Sequence, residues 1–127
     1  RLIAMKYKDS VANRDLVFAL LNSLYGMFAI EANGFGRGQG VLDISKTGFQ
    51  KIYMINPNLI SKEDSEEIIE LFSKIKNRDV MDIQDELSNK DRQAFDKKVL
   101  QSIGHEELYD CIKESLLSMQ HTRHCVK

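Results

Sequence analysis

Residues 16–34 read Leu-Val-Phe-Ala-Leu-Leu-Asn-Ser-Leu-Tyr-Gly-Met-Phe-Ala-Ile-Glu-Ala-Asn-Gly, and the reading of this stretch decides the fold class. Leu16, Val17, Phe18, Leu20, Leu21, Leu24, Met27, Phe28 and Ile30 nearly encircle a helical axis. A helix that is apolar on several sides has to be covered on several sides. The pattern therefore predicts one long buried helix, opened by Asn13 or Asp15 and running to about Ala32. A membrane span is not expected. Asp15, Asn22, Ser23 and Glu31 interrupt the segment, and a span needs about 18 or more apolar residues in a row.

The pattern changes just downstream. Asn33-Gly-Phe-Gly-Arg-Gly-Gln-Gly40 is half glycine. Each glycine costs a helix up to about 1 kcal/mol, so the stretch reads as a flexible surface loop. Gly40–Ser45 follows as a short strand, Lys46–Lys51 as a turn or single helical turn, and Ile52–Ile55 as a second strand stopped by Asn56-Pro57. Upstream, Arg1–Lys8 ends in alternating apolar and basic residues, which suits a half-buried strand. The start at Arg1 rather than Met reads as a fragment boundary, with covering structure expected upstream.

After Pro57 the chain reads as helices. Ser61-x-x-Asp64 resembles a capping box with Asp in the Glu position. Ile68, Leu71, Phe72 and Ile75 form a stripe at helical spacing, broken by Asn77 and Asp79. Val80, Ile83 and Leu87 define a short helix. Ser88-x-x-Asp91 caps another, carrying Phe95, Val99 and Ile103 and stopped by Gly104. Leu108, Ile112, Leu116 and Met119 mark the last helix, with 120–127 expected to fray. The expected fold class is α+β, mainly α: a small sheet, a long buried helix and a run of short helices. Residues 1–57 and 58–127 form its two parts within one compact unit.

Composition adds modest constraints. The chain of 127 residues is 43% hydrophobic and 29% charged, enough to bury a core without metals or disulfides. Cys111 and Cys125 lie about four helical turns apart, too far for a bridge along one straight helix. Reduced thiols and a cytoplasmic setting are expected. The net charge of -1 is unevenly spread. Residues 1–60 hold seven Lys or Arg against four Asp or Glu, a net of +3, and residues 61–127 hold eleven against fifteen, a net of -4. A polyanion would meet the first half.

Motifs for chemistry are sparse. Gly34-Phe-Gly-Arg-Gly contains G-x-G, but Gln39 stands where the third glycine of a dinucleotide fingerprint belongs, and the loop follows a helix instead of a strand. Two readings of the loop stay open: a surface laying backbone N–H groups and Arg37 against a nucleic acid, or a plain hairpin-like connection. His121, His124 and Cys125 are zinc-ligand types without a second Cys/His pair at suitable spacing, and no metal is expected. The carboxylates between Glu63 and Asp96 read mainly as a solvated helix face. No Gly-x-Ser-x-Gly, His-Glu-x-x-His or Cys-x-x-Cys occurs.

In order and spacing, three pieces resemble one family. The Leu20-Leu-Asn-Ser23 helix, the glycine loop leading to Gly40-Val-Leu-Asp-Ile44 and Asn56-Pro57, and Asp91-Arg-Gln-Ala-Phe-Asp96 with its continuation to Gly104 are similar to the C-terminal region of TaqI-like adenine-N6 DNA methyltransferases. Ile103 replaces the Leu of that closing element. The resemblance covers about residues 13–119. It implies a non-catalytic target-recognition or scaffold segment of a restriction-modification enzyme whose catalytic domain, elsewhere in the parent chain, binds S-adenosylmethionine and flips adenine. Asn56-Pro57-Asn58 lacks the second proline and the aromatic of the catalytic motif. Neither cofactor binding nor methyl transfer is then expected here. Double-stranded DNA is the expected partner, with Asn33, Arg37, Gln39, Lys46 and Lys51 as contacts. The competing expectation is structural: the helices of 61–127 pack on the missing catalytic domain or join two protomers, without touching DNA.

Overall fold

The computed structural model describes residues 13–37 and 40–125. The strand expected over residues 1–8 lies outside them, as does Gln39. The expected class holds. Among the described residues there are seven α-helices and one two-stranded antiparallel sheet, an α+β fold that is mainly α.

The long helix is in fact two. α1 (Arg14–Leu21) begins at Asn13, whose side chain accepts from the Leu16 N–H at 3.0 Å. α2 (Leu24–Asn33) begins at Ser23, and the two axes are bent by 62°. Ser23 makes the break locally: its Oγ accepts from Gly26 N–H at 3.2 Å and donates to the Leu20 carbonyl at 2.7 Å. Gly26 makes it sterically allowed. A Cβ there would lie 2.4 Å from the Leu21 carbonyl oxygen, a distance no side-chain carbon tolerates.

β1 (Phe35–Arg37) and β2 (Val41–Asp43) follow, antiparallel, with Phe35 opposite Asp43 and Arg37 opposite Val41. Part of the expected loop is thus strand. α3 (Lys46–Gln50) is the anticipated single turn, capped by Ser45 on Gly48 N–H at 2.9 Å. The second expected strand does not form. Residues 52–56 carry no regular element, Tyr53 is 88% exposed, and its carbonyl accepts from the Tyr25 hydroxyl at 2.8 Å. β-propensity without a neighbouring strand to pair with does not make a strand.

A 3-10 turn (Pro57–Leu59) leads to α4 (Lys62–Ser73). Ser61 caps α4 by accepting from Asp64 N–H at 3.0 Å, and its hydroxyl donates to the Asp64 carboxylate at 2.7 Å. α5 (Ile83–Ser88) is capped by Asp82, so Val80, expected inside it, lies outside and is fully exposed. α6 (Lys90–Gln101) starts after Asn89, not at Ser88, which closes α5 by donating to the Gln84 carbonyl. Gly104, at φ +77°, ends the following turn as expected. α7 (Tyr109–Cys125) holds to Cys125, past the expected onset of fraying at residue 120, because Arg123 is tied into the fold.

The helical stripes fill two cores. Leu16, Ala19 and Leu20 pack with Ile60, Ile68, Phe72, Ile75, Phe95 and Val99. Leu24 packs with Leu87, Leu100, Tyr109, Ile112 and Leu116. Ile103 touches both clusters. Each draws on residues before and after Pro57, so the broken helix is the element around which the later helices collapse. Among the described residues no single helix is long and apolar enough to cross a membrane. α1 and α2 pass that test only as a bent pair, and Leu16, Ala19, Leu20, Leu24 and Ala29 are buried in the protein.

The break is held by charge. Asp96 accepts from the Leu24 N–H at 2.7 Å and from Arg92 Nε at 2.8 Å, while Arg92 Nη2 donates to the Asn22 carbonyl at 2.6 Å. Asp96 is 1% and Arg92 6% exposed. Burial pushes the Asp96 carboxyl above the usual carboxylate range, against the pull of the Arg92 charge, its hydrogen bond and the Leu24 amide. Glu86 joins Arg92 at 3.5 Å to Arg78 at 2.7 Å, and Arg78 reaches Asp91 at 2.6 Å. Most carboxylates between Glu63 and Asp96, Asp82 and Asp85 among them, do form a solvated face, and Asp96 is the buried exception. Asp96 fills an apolar-stripe position of α6 and accepts from the Leu24 N–H that opens α2, while its partner Arg92 donates to the Asn22 carbonyl at the end of α1.

Candidate nucleic-acid interface

The hairpin of β1 and β2 stands at the far end of α2, and its turn end is tied to α7 through Gly40. Arg123 pairs with Glu31 of α2 through two bonds, Nε to Oε1 at 2.6 Å and Nη2 to Oε2 at 3.2 Å. Its Nη1 donates to the Gly40 carbonyl. Gly40 itself takes φ +74°, with the His124 ring 2.6 Å from where a Cβ would stand, so both turn and close approach ask for glycine there.

Directly opposed residues of an antiparallel pair share a face. One face of the hairpin therefore carries Gly36 and Leu42, and the other carries Phe35, Arg37, Val41 and Asp43. The first turns to α7. The Arg123 stem lies 3.3 Å from a Cβ position at Gly36, and Gly36, Leu42, Ser118, Met119, Thr122 and Arg123 line a shared cleft of about 400 Å³. The second face is outward, with Phe35 48% and Val41 54% exposed. Arg37 lies over the Phe35 ring at 5.7 Å and pairs with Asp43 at 2.6 Å.

The expected contacts are thus brought to one end, in unequal states. Arg37 is exposed but held by Asp43. Lys46, on the first turn of α3, and Lys51, its C-cap, are exposed, with no ion pair to any other described residue. α3 packs on α2, where Gly48 faces the Asn33 carbonyl, which places both lysines beside the hairpin base. Asn33 is exposed at the end of α2, but its Nδ2 donates to the Ala29 carbonyl at 2.8 Å. Gln39 lies outside the described residues.

Sequence reasoning missed Phe35, Val41 and Asp43 as members of this face. The i, i+2 alternation of Phe35 with Arg37 and of Val41 with Asp43, on either side of a glycine turn, carried the signal. It also missed Glu31 and Arg123, whose pairing across 92 positions leaves no local trace.

Elsewhere, His121 Nε2 and Cys125 Sγ approach to 3.6 Å on one face of α7. No group of three or more His, Cys, Asp or Glu stands in a metal-holding arrangement among the described residues. Cys111 and Cys125 are free and exposed. No family model, curated protein or solved structure matches this chain.

Proposed function

We propose that this chain is the target-recognition and scaffold part of a site-specific adenine-N6 DNA methyltransferase. The hairpin and α3 meet double-stranded DNA, and the helices after Pro57 support them. The observation that carries the reading is the outward hairpin face. An exposed arginine on a firmly clamped two-stranded ribbon, flanked by the exposed Lys46 and Lys51, has the composition of a DNA contact. Asn22–Leu24 and Arg92–Asp96, which carry two pieces of the resemblance, meet in one buried junction that ties the scaffold together. In this reading methyl transfer and S-adenosylmethionine belong to a catalytic domain elsewhere in a cytoplasmic parent enzyme, and this chain transfers nothing by itself.

Fluorescence anisotropy with a mixed-sequence duplex at low and moderate salt tests the reading. Affinity should fall steeply with salt, and Lys46→Ala with Lys51→Ala should flatten that slope by about two counterions. No binding at low salt would refute DNA contact by this chain.

One observation favours a second reading, a protein-contact module. Phe18, Met27, Phe72, Val80, Met81 and Ile83 line a groove of about 330 Å³, and Phe18, Val80 and Met81 are 50%, 100% and 42% exposed. Concentration-dependent dimerisation, or docking to the catalytic domain, without DNA binding would select it.

A further inference from the structure

We propose that the outward hairpin face reads base edges in the major groove. Arg37 is the guanine-reading side chain, Asp43 the residue that positions it, and Val41 the apolar contact for a thymine methyl. This inference rests on the DNA-contact reading above and goes beyond it by naming the groove, the bases and the role of each side chain.

Shape comes first. A major groove about 12 Å wide admits a two-stranded ribbon as it stands, whereas a minor groove about 6 Å wide admits one only after the duplex is widened or bent. The hairpin has two strands, and its inner face is taken by α7, so among the described hairpin residues it is Phe35, Arg37, Val41 and Asp43 that can face a groove floor.

Charge then separates base reading from phosphate clamping. A face built to grip phosphates would not carry a carboxylate 2.6 Å from its only described cation. Asp43 repels phosphate oxygens and lowers the net charge of the face, while Lys46 and Lys51, beside the hairpin base, have no such neighbour among the described residues. Phosphate contact falls to the lysines and base contact to the arginine.

Positioning follows from the unequal exposure of the pair. The Asp43 side chain is 19% exposed and the Arg37 side chain 56%. The carboxylate is the anchored member and the guanidinium the outward one. Asp43 engages Nη2, and the Phe35 ring lies against the guanidinium at 5.7 Å, so the planar fork is oriented before any ligand arrives. A guanidinium has five N–H donors, which leaves enough for O6 and N7 of a guanine while Asp43 stays bound. Val41, directly opposite Arg37 and 54% exposed, supplies apolar surface one strand away.

The test begins by selecting the best-bound duplex from a random pool with the 127-residue protein. That duplex is then remade with 7-deazaguanine, which lacks the N7 acceptor but pairs normally, or with uracil for thymine, which lacks the methyl. Affinity should drop about tenfold on 7-deazaguanine and less on uracil, within the discrimination such contacts give. Arg37→Ala should abolish the first loss and Val41→Ala the second, with circular dichroism checking that each variant folds. Asp43→Asn should bind unrelated duplexes more tightly and lose part of the 7-deazaguanine sensitivity. Enriched binding indifferent to 7-deazaguanine, or salt-sensitive binding with no enrichment, overturns major-groove reading and leaves DNA contact standing. Asp43→Asn with full sensitivity and unchanged affinity overturns the role of Asp43. No duplex binding at any salt overturns both readings.

Discussion

Replacing Asp96 by Ala removes the acceptor of the Leu24 N–H and the carboxylate that holds Arg92 on the Asn22 carbonyl, so it disturbs both sides of the α1–α2 break. The Leu24 N–H loses its acceptor at 2.7 Å, and Arg92 loses its partner at 2.8 Å while staying buried. Breaking a buried ion pair by deleting one member costs about 3–5 kcal/mol, a large share of the 5–15 kcal/mol that holds a typical domain folded. The more revealing variant is the double change Arg92→Met with Asp96→Leu. For an ordinary buried pair, apolar replacement of both members is often neutral or stabilising. Here it leaves the Leu24 N–H without its acceptor and takes the Arg92 donor from the Asn22 carbonyl. Each unsatisfied buried group costs about 1–3 kcal/mol, so the double variant should remain about 2–6 kcal/mol below the natural chain. Urea unfolding followed by far-ultraviolet circular dichroism measures both losses, and amide exchange at Leu24 reports the local opening. A double variant within about 1 kcal/mol of the natural protein would refute the idea that this junction exists for the backbone of the break.

Two further outcomes follow from the same framework. Gly26→Ala places a methyl 2.4 Å from the Leu21 carbonyl, and despite the better helix propensity of Ala it should destabilise by about 1–3 kcal/mol in the same urea assay. The Tyr109 hydroxyl is buried with no hydrogen-bond partner among the described residues, and burial raises its pKa from 10.0 to about 12. Because the folded value is the higher, the neutral phenol's contribution is complete below pH 10 and is lost as pH rises toward 12. Tyr109→Phe should therefore cost little at neutral pH and flatten the alkaline loss of stability, with tyrosinate absorbance placing the titration.

How much was legible depended on whether a signal was local. The stripe of Ile68, Phe72 and Ile75 lies within one helix, so its burial could be read from spacing alone. The Ser61 cap and the Gly104 stop are set within a few residues, and both stand where expected. The Ser88 cap failed because Asn89 one position on opens α6, a competition that spacing does not settle. Of the candidate contacts, Arg37, Lys46 and Lys51 could be picked out as cations near a glycine-rich turn. The partner that restrains Arg37 could not, since pairing of Asp43 with that strand depends on hairpin register.

By itself, then, the sequence determined that this chain is mainly helical, with glycine at 34, 36, 38 and 40 marking its non-helical end, because periodicity and turn chemistry act over a few residues. Tertiary structure alone decided that residues 14–33 form two helices bent by 62° and not one. Ser23 and Gly26 permit that break, but an isolated helix gains more by satisfying its own backbone groups. The bend persists because Asp96 and Arg92, some seventy residues away, replace the hydrogen bonds it gives up. The same logic turned the glycine loop into a clamped hairpin, since Glu31 and Arg123 meet only once α2 and α7 have packed.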